Sequence, residues 1–276
     1  MDSKTSTAEL PASVEATPSI IPKIPQDIID EILDHLALPT NPDFGSLRSC
    51  ALLSKSWAQP CRRYLFHAVL FSTRDMNRWL KAFPVPEESP VNHVKDLRVW
   101  IGGYDCVPES FFEYTSWFTN AKKVSLTGNG GDSPLRVPSL WRLPQSVTAL
   151  TMNTDVVTLV QIRDIIAHLP NLDDLSLLGY LIAVDKDVLP GIGTTLKCRF
   201  GGRLRLSGGC VGEDVANMLL DVPTGLHFTD VRIHGTYECF ASIVRLAEAC
   251  DRTLVNLSCT ANPKGKYYPF SWPNWF

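Results

Sequence analysis

The sequence predicts an α/β fold: a short module of three helices, then a curved solenoid of parallel strands and return helices. Two observations carry that expectation. Residues 24–66 place apolar side chains at helical spacing between clear start and stop signals, and behind them an apolar triplet recurs eight times at nearly constant intervals.

The first helix is expected over IPQDIIDEILDHL. Pro25 suits the first helical position, and Asp27, Asp30 and Glu31 put negative charge near the positive end of the helix dipole. Ile28, Ile29, Ile32, Leu33 and Leu36 make one wide apolar stripe, opposite Asp27, Asp30, Glu31 and Asp34. Pro39 and Pro42 end this element. Ser46 is the expected cap of a second short helix carrying Leu47, Cys50, Ala51 and Leu53, and Trp57, Cys61, Tyr64 and Leu65 suggest a third. Pro60 lies inside that third helix, where an interior proline costs about 3 kcal/mol, so a kink or restart is expected. About forty residues are too few to cover this much apolar surface. Part of the stripe is therefore expected to face another body.

The array follows. Its triplets are Phe66, Val69, Phe71; Val94, Leu97, Val99; Ala121, Val124, Leu126; Val147, Leu150, Met152; Leu172, Leu175, Leu177; Gly201, Leu204, Leu206; Phe228, Val231, Ile233; and Leu254, Leu257, Cys259. Their leading positions are spaced by 28, 27, 26, 25, 29, 27 and 26 residues, within the range of leucine-rich repeats. Ala121, Gly201 and Cys259 are weak members, and the asparagine that often follows such a triplet occurs only as Asn129 and Asn262. A lone strand cannot cover its apolar face, so each unit needs a second layer. Return helices are expected at 74–83, 111–119, 159–169, 213–220 and 237–249. The Gly- and Pro-rich stretches 128–144 and 185–200 are expected to lack one.

Strand side chains alternate between faces, so residues between the triplet positions should share the inner face. Its central column would be Arg98, Ser125, Thr151, Ser176, Arg205, Arg232 and Ser258, with Lys95, Lys122, Lys123, Arg203, Asp173, Asp174 and Asp230 beside it. Arg98, Lys122, Lys123, Arg203, Arg205 and Arg232 are the candidates to receive an acidic or phosphorylated segment, because arginine pairs bidentately with phosphate. The plainer alternative is a solvated strand face with ordinary charges.

Composition bounds the function. The 276 residues carry a net charge of −3, with 45% hydrophobic and 20% charged residues, which gives no bias toward polyanions; nucleic acid is not an expected partner. No apolar run reaches the roughly 20 residues that span a bilayer, so no membrane association is expected. Residues 1–21, rich in Ser, Thr and Ala, read as a disordered leader. Eight scattered cysteines without CxxC pairs favour buried free thiols in a reducing, intracellular setting, cytoplasmic or nuclear, where the sequon at Asn256 would stay unmodified.

Catalytic signatures are not found. His227, His234 and Cys239 lack the further ligands of a metal set, and Gly128, Gly130 and Gly131 lack the lysine and serine of a phosphate loop. Gly191, Gly193, Gly201 and Gly202 form no dinucleotide fingerprint, and no GxSxG occurs. No enzyme and no cofactor are expected. Residues 261–276 hold six aromatics in the last ten positions, where a repeat array usually ends in a polar cap; a truncated end and an aromatic cap folded over the last repeat both remain open.

Residues 22–66 also resemble a known family. Ile24-Pro25-Gln26-Asp27-Ile28, then Ile32, Leu33 and Leu36, then Leu53-Ser54-Lys55-Ser56-Trp57 and Leu65-Phe66, are similar to the F-box pattern, as found in fungal-type F-box proteins. Ser54 stands where the family commonly has cysteine. The resemblance covers about one sixth of the chain. It implies docking to the Skp-family adaptor, and through it to a cullin, with Pro25, Ile28, Ile32, Leu33, Leu53 and Trp57 as docking candidates. In that family a leucine-rich-repeat array often receives the protein substrate, so residues 67–260 would have that part. The alternative is a non-catalytic repeat scaffold whose helical module caps its own array.

Overall fold

The computed structural model describes residues 24–38, 42–101, 109–128, 143–154, 158–179 and 196–261. The leader, Cys106, Asn129, Asn262 and the aromatic tail, together with most of the two Gly- and Pro-rich stretches, lie outside these residues.

Among the described residues three helices come first: α1 (Gln26–Leu36), α2 (Phe44–Leu53) and α3 (Lys55–Leu65). Pro25 occupies the cap position of α1 and not its first turn; its extended backbone (φ −54°, ψ 144°) leaves its carbonyl to accept from the Ile29 amide at 3.2 Å. The expected cap of α2 is also displaced. Asp43 caps it, and Ser46 supplies the donors, its amide at 2.9 Å and its hydroxyl at 2.6 Å from the Asp43 carboxylate. Those bonds hold the Asp43 carboxyl below its ordinary range. Contrary to expectation, α3 does not restart at Pro60 but runs unbroken through it. Trp57 and Cys61 are buried on either side of the proline, and burying them offsets the one lost backbone bond.

Ile29, Leu33, Leu47, Trp57 and Cys61 form the buried centre of this module. Polar contacts on its rim tie α1 to α3: Arg63 donates to Asp30 at 2.9 Å, and the Tyr64 hydroxyl donates to Asp34. Burial first, and then that bond, push the Tyr64 phenol up to about 12.

Behind the helices stand β1 (Ala68–Ser72), β2 (Asp96–Ile101), β3 (Lys123–Gly128), β4 (Ala149–Thr154), β5 (Asp174–Leu178), β6 (Arg203–Ser207), β7 (Asp230–Gly235) and β8 (Asn256–Ala261). They form one eight-stranded sheet, parallel throughout, whose spatial order is the chain order. The register coincides with the sequence triplets at every step. Val69, Leu97, Val124, Leu150, Leu175, Leu204, Val231 and Leu257 share one row, and Phe71, Val99, Leu126, Met152, Leu177, Leu206, Ile233 and Cys259 share another. Leu97 to Ile233 in these rows are buried; at the β8 edge Leu257 is 50% exposed and Cys259 is also exposed.

The second layer consists of α4 (Thr73–Ala82), α5 (Glu109–Tyr114) with a 3-10 turn at Thr115–Trp117, α6 (Leu159–Ala167), α7 (Glu213–Leu220), and α8 (Phe240–Ala249) preceded by a 3-10 turn at Tyr237–Cys239. Each expected return helix is present within a few residues of its expected ends. Reciprocal capping boxes, Ser72 with Asp75 and Thr158 with Gln161, start α4 and α6.

A repeated hydrogen-bond device joins successive units. The carbonyls of His67, Lys95, Lys122, Thr148, Gly202 and Thr229 each accept from two consecutive amides of the next unit, at 2.8–3.3 Å. Side chains just before the strands add to it: Asn120 and Asn171 donate to the carbonyls of Asn92 and Gln145, and Ser146 and Thr253 to those of Ala121 and Phe228. One junction differs. Between β5 and β6, where the spacing is longest, the Asp173 and Asp174 carboxylates replace part of the ladder, accepting from the Gly201 amide at 2.8 Å and the Arg203 amide at 2.6 Å. A Cβ on Gly202 would stand 2.1 Å from the Asp174 carboxylate, which explains the glycine.

Gly208, just after β6, has φ +66°, and an added Cβ would lie 2.4 Å from the Gly179 carbonyl oxygen. Gly225 has φ +74°, but its Cβ would meet only the His227 ring at 3.9 Å. Gly208→Ala is therefore expected to lower unfolding stability by about 3 kcal/mol and Gly225→Ala by about 1 kcal/mol, measured by urea denaturation. Equal losses would show that the backbone clash at Gly208 relaxes freely.

The module joins the sheet with almost no linker, since α3 ends at Leu65 and β1 begins at Ala68. Phe66 between them packs edge-on against Trp79 of α4 (ring centroids 6.0 Å apart), in an aromatic group with Phe71, Phe83, Phe111, Tyr114 and Phe118.

Candidate functional site

Two surfaces hold the residues singled out in the sequence. On the helical module the apolar stripe of α1 divides. Ile29 and Leu33 turn inward, while Ile28 and Ile32, 43% and 39% exposed, continue from exposed Ile24 as a column at i, i+4, i+8. A stripe this wide exceeds what two neighbouring helices can cover. Leu52 and Leu53, at the end of α2, are exposed as well.

The six docking candidates therefore separate. Pro25, Ile28, Ile32 and Leu53 lie on the surface; Leu33, fully buried, and Trp57, nearly so, pack the module's own centre. A partner cannot touch Leu33 without opening the module. Leu33 and Trp57 have a packing role in this structure, and the other four candidates are open to a partner.

The second surface is the polar face of the sheet. Cross-strand pairing places Arg98, Ser125, Thr151, Ser176, Arg205, Arg232 and Ser258 in one continuous row. Its six basic candidates do not form one patch. Arg98, Lys122 and Lys123 belong to the β2–β3 side and Arg203, Arg205 and Arg232 to β6–β7; β2 and β6 are four strand spacings apart, about 19 Å.

Their electrostatic states differ too. Arg98 is held by Asp96, with Nη2 at 2.7 Å and Nε at 3.1 Å, and Arg232 by both oxygens of Asp230 at 3.0 and 2.9 Å. The bonds raise both guanidinium pKa values further and hold Asp230 below its ordinary range. Arg203 shares Asp230 through Nε at 3.2 Å. Arg205 has no such partner among the described residues, and its Nε is buried without a hydrogen bond. Burial first, then the neighbouring Arg203 and Arg232, lower its pKa. Lys122 and Lys123 are exposed.

The Asp96–Arg98 and Asp230–Arg232 pairs were legible as i, i+2 neighbours on a strand, which point to the same face. The lone state of Arg205 followed from the same rule, because its i−2 and i+2 neighbours are Arg203 and Ser207. Neither had been drawn from the sequence.

His93, in the 3-10 turn Pro90–His93, faces the end of α3. Burial first, then Arg62, Arg63 and Lys95, hold its imidazole below the ordinary 6.5. The unfolded chain therefore takes up this proton more readily than the folded one. Stability from neutral His93 is complete above about pH 6.5 and is lost as pH falls through the lowered folded value. Thermal unfolding at pH 7 and pH 5 should show a larger loss for the natural chain than for His93→Gln. Equal losses would contradict this.

Among the described residues no group of three or more His, Cys, Asp or Glu is placed to hold a metal, and no helix is long and apolar enough to cross a membrane. Cys61, Cys198 and Cys250 are buried free thiols, Cys210 is buried with its Sγ toward the Gly179 carbonyl, and Cys259 is exposed. Burial pushes the Cys198 thiol up to about 11, which keeps it protonated and unreactive.

The fold and its surfaces define a mixed α/β protein with a helical module at one end of a parallel sheet. In comparison with known proteins no family model matches the chain, and no curated protein matches it.

Proposed function

We propose that the chain is the substrate-recruiting subunit of a Skp/cullin/F-box ubiquitin ligase. Residues 24–66 are its F-box, docking the Skp-family adaptor, and the sheet with its return helices is a leucine-rich-repeat-like solenoid that binds a protein substrate. The reading assigns the chain no chemistry of its own; ubiquitin transfer falls to other subunits, and this one supplies proximity.

The observation that carries the reading is the exposed column Ile24, Ile28 and Ile32 on a helix whose opposite side is already packed. Exposed aliphatic side chains at helical spacing are what a helical partner covers. The contacting set becomes Pro25, Ile28, Ile32 and Leu53, with Leu33 and Trp57 holding the helices that present them. The near-absent linker at Phe66 supports the same division, because adaptor and substrate would be held at one relative orientation.

A scaffold reading has one observation in its favour: the packing of Phe66 and of the α3 end against the first two repeat units, as a terminal cap would pack. That reading gives Ile24, Ile28 and Ile32 no partner. Coexpression with the Skp-family adaptor separates the two. Capture that is lost in Ile28→Asp and Ile32→Asp variants supports docking, and failure of the folded natural chain to capture the adaptor supports the scaffold.

A further inference from the structure

We propose that Arg203, Arg205 and Arg232 form a receptor for one phosphorylated side chain of a protein segment lying across β5 to β8. This rests on the reading of the sheet face as the substrate-binding surface, and narrows it from six basic residues to three.

The geometry begins with register. Arg205 pairs directly with Arg232 across β6 and β7, with Ser176 beside it on β5 and Ser258 beyond on β8. The next row toward the strand ends is Ser207, His234 and Thr260. The row before it pairs Arg203 with Asp230. Three guanidiniums are thus gathered among hydroxyls, with Asp230 shared by two of them and Asp174 near the third.

Asp230 satisfies Nε and one Nη of Arg232 and Nε of Arg203, leaving the remaining N–H groups of both side chains for a ligand. Arg205 is the unpaired member. Its Nε is buried beside two other cations, an arrangement that costs free energy until an anion arrives.

The chemistry favours a phosphate monoester over a carboxylate. Near neutral pH it carries about −1.5 to −2 charges and three acceptor oxygens, enough to engage Arg205 and the free N–H groups of Arg203 and Arg232 while Asp230 stays in place. A single carboxylate has two acceptor oxygens and one charge, no better than Asp230 already supplies. The Arg98, Lys122 and Lys123 group lies outside this receptor, some 14 Å or more away across the sheet, and Arg98 already has its carboxylate.

The test uses the full chain and fluorescence polarisation with a degenerate peptide library fixed only at a central phosphoserine. Parallel libraries carry serine or glutamate at that position, and inorganic phosphate serves as competitor. The phosphoserine library should bind at least tenfold more tightly than either other library and resist inorganic phosphate at equimolar concentration. Arg205→Gln should lose at least tenfold of that affinity, Arg205→Lys less, and Arg98→Gln less than twofold, with cooperative unfolding retained in each.

Equal binding of the three libraries, equal losses in Arg98→Gln and Arg205→Gln, or displacement by equimolar inorganic phosphate would each overturn the proposal. No Skp-family adaptor is present in the assay. Failure here would leave adaptor docking standing, and failure to capture the adaptor would leave this receptor standing.

Discussion

Leu33→Ala is expected to destabilise the helical module by about 2–5 kcal/mol, whereas Ile32→Ala, one residue away on the same helix, should change it by less than about 0.5 kcal/mol. Leu33 is fully buried in a centre of only five residues, so its loss leaves a cavity that few neighbours can close. Ile32 is 39% exposed and gives up contacts with water. A module this small has little stability to spare. In thermal unfolding followed by far-UV circular dichroism, the Leu33 variant should show an early transition that accounts for the helices and a later one for the sheet. A single unchanged transition would place Leu33 on the surface and return it to the docking set.

Phe71→Ala should lower the stability of the first repeat units by about 3–5 kcal/mol. The ring is buried and makes edge contacts with Trp79 at 5.1 Å, Phe111 at 5.1 Å and Phe118 at 6.1 Å, and Trp79 in turn touches Phe66 at the end of α3. Removing it loosens both the start of the sheet and the joint that holds the helical module on it. Because each strand pairs only with its neighbours in chain order, the damage should stay local. Amide hydrogen exchange should accelerate in β1, β2 and α4 and stay near its natural rate in β7 and α8. Uniform acceleration would mean that the sheet unfolds as one cooperative body.

The sheet was legible in the sequence for a physical reason. A parallel strand covered on one face repeats its apolar residues with period two, and the unit length repeats that pattern, so the register from Val69 to Cys259 could be aligned without coordinates. The helix positions followed from the same spacing. Local capping was less legible because Asp43 and Ser46 are both good cap residues, and only the backbone at Asp43 decides which one accepts. The side-chain ladder of Asn120, Ser146, Asn171 and Thr253 was missed because its acceptors lie a whole repeat earlier in the chain.

The candidate sites were half legible. Helical periodicity marked the stripe on α1, yet it could not say which edge turns inward, since that depends on where α2 and α3 pack. The column from Arg98 to Ser258 could be aligned because strand register repeats with the unit length. The carboxylates at i−2 of Arg98 and Arg232, and their absence beside Arg205, were within reach of the same strand alternation, whereas the cross-strand bond of Arg203 to Asp230 depends on the pairing of β6 with β7.

Binding of the Skp-family adaptor to the purified full chain, measured by titration calorimetry for the natural sequence and for Ile32→Asp, tests the central claim most directly. The account predicts a saturable one-to-one complex that Ile32→Asp weakens at least about 30-fold, the scale of a 2 kcal/mol contact, while the variant's unfolding curve stays unchanged. No heat of binding with the folded natural chain, or equal affinity for Ile32→Asp, would contradict it.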